Sequence, residues 1–208
     1  MLLVHKALNY YNKPLVPYPN GSLEIQAITI RSNSQDVDVI NVYNHRDTLN
    51  INEFNHYFTQ FNNNYILLGD FNGHHPLWEP AKNPAPNTTG RVIAQLLAEN
   101  ANLCLATPPD LPTYTDPRTG ETSTLDLFFC SQQYLGIAEV HMKGCLGSDH
   151  DPALVTIGTS PEQQMLGKRP RGLFELGLWG PWLRDVYNTP GLGAQPRRRK
   201  PIILLRSW

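Results

Sequence analysis

The chain has 208 residues, 40% of them hydrophobic and 17% charged. That length suits one domain with its own core plus a short extension, and the balance excludes a disordered or low-complexity chain. No apolar run approaches the ~18 residues that a membrane-spanning helix needs, so no membrane partner is expected. The formal net charge of −1 hides an asymmetry. Residues 1–158 carry 8 Lys and Arg against 15 Asp and Glu, a balance of −7, whereas residues 159–208 carry 9 against 3, a balance of +6. An acidic body does not draw nucleic acid by charge alone, but it suits a domain that gathers carboxylates around a divalent cation. The N-terminal MLLVHKALNYYNK lacks the basic start and small-residue cleavage site of a signal peptide. Cys104, Cys130 and Cys145 form no CxxC pair, which points away from zinc and from a disulfide framework and toward reduced core residues.

In chain order, Leu23–Ile30 and Val37–Tyr43 alternate apolar and polar residues and predict half-buried strands. Residues 52–61 place Phe54, Tyr57, Phe58 and Phe61 at helical spacing. Tyr65–Leu68 reads as a short buried strand stopped by Gly69. The clearest helix is Thr89–Asn100, with Thr89 as its candidate cap and Val92, Ile93, Leu96 and Leu97 as one apolar stripe. Strands follow at 102–106, Leu125–Cys130 and Leu154–Ile157, separated by Pro-rich turns at 80–86 and 108–117. Strands alternating with helices predict a mixed α/β layered domain over residues 1–158. From Thr159 the periodicity ends. Residues 159–208 read as a basic, poorly patterned tail, disordered or irregular, with Arg197, Arg198, Arg199 and Lys200 as either a nucleic-acid patch or an incidental charge run.

Three segments at predicted strand ends carry chemistry: GDFN at 69–72, STLD at 123–126 and GSDHDP at 147–152. Phosphodiester hydrolysis needs a divalent ion, a carboxylate for water, neutral donors on the phosphate and a charged group for the developing charge. Asp70, Asn72, Asp126, Asp149 and His150 supply those types, and oxygen ligands suit Mg²⁺ or Mn²⁺ rather than zinc. Each segment alone also reads as an ordinary turn or cap. Asp126 is harder to read so, because a carboxylate inside an apolar strand needs a partner, and an Asp–His pair would provide one. His74 and His75, adjacent on a loop, read as structural, with Trp78 packed beneath.

GDFN, S-x-LD and GSDH-x-P in this order resemble the endonuclease/exonuclease/phosphatase family, which includes apurinic/apyrimidinic endonucleases and deoxyribonuclease I. The longer run GDFNGHHPLWEP, the helix GRVIAQLL and the segments PTY and STLDL resemble the endonucleases of LINE-type retrotransposons, where GDFN-A-HHPLWG is typical. The resemblance covers roughly residues 27–157. It implies a deoxyribonuclease I-like, four-layered α/β sandwich, two sheets flanked by helices. It also implies Mg²⁺- or Mn²⁺-dependent nicking of DNA, with a reverse transcriptase in the full-length element and a nuclear site if chromosomal DNA is the target.

By the same resemblance Asp70 positions or activates water and lies at the metal with Asp149. Asn72 binds the scissile phosphate, His150 contacts it, and Asp126 orients and charges His150. Tyr43 reaches the phosphate from the strand INVYN or packs across strands; Asn44 either binds substrate or makes a turn. Ser148 is a helper donor. The family's opening strand and helix, with an Asn and a metal-ligating Glu, have no counterpart here. The expectation is therefore a domain incomplete at its N-terminus, with weakened metal affinity and stability. A catalytically impaired retroelement remnant and a phosphatase of a small ester such as an inositol phosphate stand as alternatives.

Overall fold

The structure, a computed structural model, describes residues 2–4, 8–31, 35–45, 48–142, 148–157, 174–179 and 202–207. The chain runs through β1 (Leu2–Val4), β2 (Tyr10–Asn12), β3 (Leu23–Ile30), β4 (Val37–Asn44), α1 (Ile51–Phe58), β5 (Tyr65–Asp70) and α2 (Thr88–Glu99). It continues through β6 (Cys104–Leu105), β7 (Tyr114–Thr115), β8 (Thr122–Ser123), β9 (Asp126–Cys130), α3 (Gln132–Leu135), β10 (Ala138–Met142), β11 (Ala153–Ile157), β12 (Phe174–Trp179) and β13 (Ile202–Ser207). A six-stranded sheet has the order β2-β3-β4-β5-β9-β6, a five-stranded sheet the order β1-β13-β12-β11-β10, and β7-β8 form a small ribbon. The β4–β5 pair is parallel and the other pairs of the six-stranded sheet are antiparallel, so the domain is mixed α/β.

The six-stranded sheet is buried on both faces. On one, Ile40, Val42, Leu67, Leu127 and Phe129 pack with Phe54 and Tyr57 of α1 and Ile93 and Leu96 of α2. On the other, Ile28, Ile30, Val39, Leu68 and Phe128 meet Ala153, Val155 and Ile157 of β11. This corrects the half-buried expectation for β4: its odd and even positions face different cores, and only Tyr43 is not fully buried. Gly69 does not stop β5. Its φ of +152° carries the strand on to Asp70 beside β4, where a Cβ would overlap the carbonyl of Val42. Asn87, not Thr89, caps α2: its Oδ1 accepts from the Gly90 N–H at 2.8 Å. Thr89 is buried and instead accepts from the Asn44 side-chain amide. Helix α1 starts one residue early on its Asn50 cap and ends at Phe58. The strand expected at 102–106 contracts to β6.

Strands β2 and β10 lie outside the elements expected from the sequence. Within 159–208, residues 174–179 and 202–207 form β12 and β13, antiparallel to each other, with β12 also antiparallel to β11. The basic cluster at 197–200, Cys145 and Gly147 lie outside the described residues.

Candidate active site

Three strand ends bring the expected residues together. In the β4–β5 pair Tyr43 lies opposite Asp70, and in the β5–β9 pair Asp70 lies opposite Asp126. Directly opposed residues point to the same face. Two residues back on each strand are Asn41, Leu68 and Phe128; Leu68 and Phe128 belong to the core between the two sheets. Tyr43, Asp70 and Asp126 therefore share that face, at the ends of their strands.

The second sheet delivers the histidine. His150 precedes β11 and bridges to Tyr114. The Thr115 N–H donates to the Asp149 carbonyl at 2.7 Å and the Asp151 N–H to the Thr113 carbonyl at 2.9 Å, so β7 grips both sides of His150. Its Nδ1 is 2.8 Å from Asp126 Oδ2 and its Nε2 is 4.0 Å from Asp70 Oδ2. Asp126 thus has the partner that its place in an apolar strand requires. Ser148 Oγ accepts from the His150 N–H at 3.2 Å and donates to Asp149 Oδ1 at 3.3 Å, which holds the turn around the imidazole. Asp149 itself is exposed.

Asn72 has a left-handed φ of +53°, which Asn tolerates. Its N–H donates to Asp70 Oδ1 at 3.1 Å and its Nδ2 to the Asn44 carbonyl at 2.9 Å. Asn44 stands behind this arrangement. It is fully buried, and its Nδ2 donates to the Phe71 carbonyl at 2.8 Å and to Thr89 Oγ1 at 3.1 Å. Asn44, which the sequence offers as a substrate contact or a turn residue, is buried here and braces the Asn72 loop. The following HHPLWEP run is a packed support. Trp78 is fully buried with its Nε1 donating to the Gly73 carbonyl, and His74 Nδ1 lies 2.9 Å from the buried Glu79. His75 packs against Trp78.

Three contributors escaped the sequence reading. Thr113 is buried, and its Oγ1 accepts from the N–H groups of Leu125 and Asp126 at 3.0 and 2.9 Å, fixing the start of β9. Tyr114 sets its ring 5.1 Å from that of His150. Asn87 accepts from the His74 N–H and donates to the Asn72 carbonyl, tying the first turn of α2 to the site loop. The only signal for them was the PTY segment and an Asn ahead of a helix.

Asp70 and His150 are both held in unusual states by their surroundings. Burial, then the neighbouring Asp126 charge, push the Asp70 carboxyl up to about 7, against opposing pulls from His150 and Asn72. Burial pulls His150 down, but Asp126, by charge and hydrogen bond, and then Asp70 and Asp149, outweigh it and raise the imidazole to about 9. Near neutrality the site therefore offers a carboxylate that can take up a proton and, about 4 Å away, an imidazolium that can donate to an anion. The fit to a divalent cation is incomplete. Asn41 Oδ1 is buried without a hydrogen-bond partner one pleat behind Tyr43, and Asp70 is a buried oxygen donor. Yet no three His, Cys, Asp or Glu side chains gather at metal-binding spacing among the described residues. Those residues alone do not make a cation cage of the kind Mg²⁺ takes.

The chain is similar to proteins of mobile elements. The chain is 26% identical over 152 residues, 72% of its length, to the RNA-directed DNA polymerase from mobile element jockey of Drosophila melanogaster, and spans 16% of that relative. The solved endonuclease domain of TRAS1, a telomere-specific non-LTR retrotransposon, has the same fold at a TM-score of 0.57 and 18% identity, over 75% of this chain and 71% of that one. A family profile described as Endonuclease-reverse transcriptase matches residues 37–154, from the start of β4 into β11. With more than half of its length matched, including all three chemical segments, the chain belongs to the endonuclease-reverse transcriptase family.

Proposed function

We propose that this domain is a DNA endonuclease that cleaves a phosphodiester with water and no covalent intermediate. The observation that carries the reading is the pairing of His150 with Asp126 at 2.8 Å, with Asp70 across the gap at 4.0 Å from the other imidazole nitrogen. Asp70 in its ionised form accepts a proton from water as the water oxygen bonds to phosphorus. The bond from phosphorus to the leaving sugar oxygen breaks, and that oxygen takes a proton from solvent. His150 donates from Nε2 to a non-bridging oxygen and Asp126 keeps it charged. Asn72 stands at the loop tip as the neutral donor. Tyr43 borders Asp70 on the far side, and Asp149 stays at the rim.

Mg²⁺ or Mn²⁺ is the cofactor that family resemblance implies. DNA is the proposed substrate and a reverse transcriptase the proposed covalent neighbour, as the jockey relative's name suggests. The proposed complete architecture is the four-layered sandwich, with helices outside the second sheet. The incomplete cation site favours one second reading, a catalytically impaired family member. Incubating the protein with supercoiled DNA and with an inositol phosphate, each with Mg²⁺, separates these readings. Nicked circles without inorganic phosphate release support the endonuclease. Phosphate release alone favours a phosphatase, and neither product favours the impaired form.

A further inference from the structure

The row of side chains at these strand ends does not stop at Tyr43. In the β3–β4 pair Glu24 lies opposite Tyr43, so Glu24, Tyr43, Asp70 and Asp126 follow one another across four adjacent strands. Glu24 shares the face of Ile28 and Ile30, the face of the inter-sheet core, and so points to the same side as the other three. His45, two residues beyond Tyr43, sets its Nε2 2.8 Å from Glu24 Oε1. Its ring stands edge-on to Tyr43 with centroids 4.5 Å apart. The row thus carries a carboxylate–imidazole pair at each end, Asp126–His150 and Glu24–His45, with Tyr43 and Asp70 between. His45 and Glu24 are 50% and 40% exposed, and no described residue hydrogen-bonds His45 Nδ1. An ion pair this exposed adds little to stability.

We propose that the Glu24–His45 pair is a second phosphate subsite, which holds a non-scissile phosphate of the same polynucleotide strand while Asp70 and His150 act on the scissile one. Two strand spacings separate β3 from β5, about 10 Å, and a nucleic-acid strand advances about 3.4 Å along its axis per nucleotide. A polynucleotide spans that gap within a few nucleotides, and a small phosphate ester does not. His45 sets Nε2 against Glu24 and leaves Nδ1 for the phosphate, the same division of labour as at His150, where Nδ1 faces Asp126 and Nε2 faces the scissile phosphate. The row itself contains no Lys or Arg, which leaves the two imidazoles as the nitrogen groups that can meet phosphate there. The inference rests on the endonuclease reading and deepens it, because it makes a polymer the preferred substrate.

The test measures binding of a fluorescent DNA duplex by anisotropy across a series of KCl concentrations, for the wild-type chain, His45→Ala and Glu24→Gln. Hydrolysis of bis(p-nitrophenyl) phosphate is followed in parallel. His45→Ala should weaken DNA binding several-fold and lower the slope of log affinity against log salt by about 0.9, the loss of one phosphate contact. Glu24→Gln should move both in the same direction by less, and the small diester should be turned over as before. An unchanged salt slope, equal losses on DNA and the small diester, or no DNA binding by the wild type would overturn the subsite. Wild-type binding with the expected slope change but no nicking would sustain the subsite and remove the endonuclease reading instead.

Discussion

Replacing Asp126 by Asn tests the electrostatic core of the site. Asn keeps the size of the side chain and a hydrogen bond to His150, but removes the charge that contributes most to raising the imidazole to about 9. With burial still pulling downward, His150 should fall to its ordinary 6.5 or below. That fall corresponds to roughly 3 kcal/mol between the two protonation states. At a pH of about 7.5 the charged fraction would drop from nearly complete to about one-tenth. Asp70 loses the Asp126 charge that raises it and part of the His150 charge that lowers it, so its own change is smaller. The wild type should show a bell-shaped nicking profile with apparent limbs near about 7 and about 9. In Asp126→Asn the alkaline limb should move below neutrality and activity at alkaline pH should collapse. Histidine-resolved NMR titration reads the same shift without requiring turnover. An alkaline limb or a His150 titration left near 9 in the variant would refute the reasoning.

Three further outcomes follow from the packing. Gly69→Ala forces a Cβ into the Val42 carbonyl at a φ of +152°, so the fold should lose more than ~3 kcal/mol, read as a collapse of the urea midpoint or loss of soluble protein. Asn87→Ala removes the cap of α2 and should cost ~1–2 kcal/mol in thermal melting. Asn87→Asp keeps the cap acceptor but loses the donor to the Asn72 carbonyl, so it should spare stability more than activity. Asp70 has a folded value above its ordinary 3.8, so between 3.8 and about 7 the folded state binds more protons than the unfolded one and stability falls as pH rises. His150, also raised, contributes stability that is full below 6.5 and is lost as pH rises through about 9. Asp70→Asn should therefore flatten the stability–pH curve below neutrality and melt higher than wild type at pH above about 7. An unchanged slope would contradict the assigned burial.

The sequence made the three chemical segments visible because each sits where a strand ends and because their residue types suit one reaction. Asp126 could be read further, since a carboxylate among Leu125, Leu127 and Phe128 demands a partner, and His150 is that partner. Strand β10 had a legible signal that went unread: AEVHM alternates half-buried and exposed positions along its length. The bracing role of Asn44 was not legible, because a polar residue after a strand looks exposed in one dimension, whereas it hydrogen-bonds the Phe71 carbonyl and Thr89 of α2. Thr113 and Asn87 were only faintly legible, through the PTY segment and an Asn ahead of a helix. Their roles at the site arise from hydrogen bonds to segments 12 to 15 residues away, which nothing local announces. The Glu24–Tyr43–Asp70–Asp126 row depends on strand register, which is set by tertiary pairing.

If Asp70 and His150 together cleave a DNA phosphodiester, both are needed to nick supercoiled plasmid with Mg²⁺, which a comparison of the wild type with Asp70→Ala and His150→Ala measures. Nicked circles are expected from the wild type, with rates lower by about 10²–10⁴ in each variant, the usual contribution of a general acid or base. Equal rates in all three proteins, or no nicking by a folded wild-type chain, would contradict that joint role.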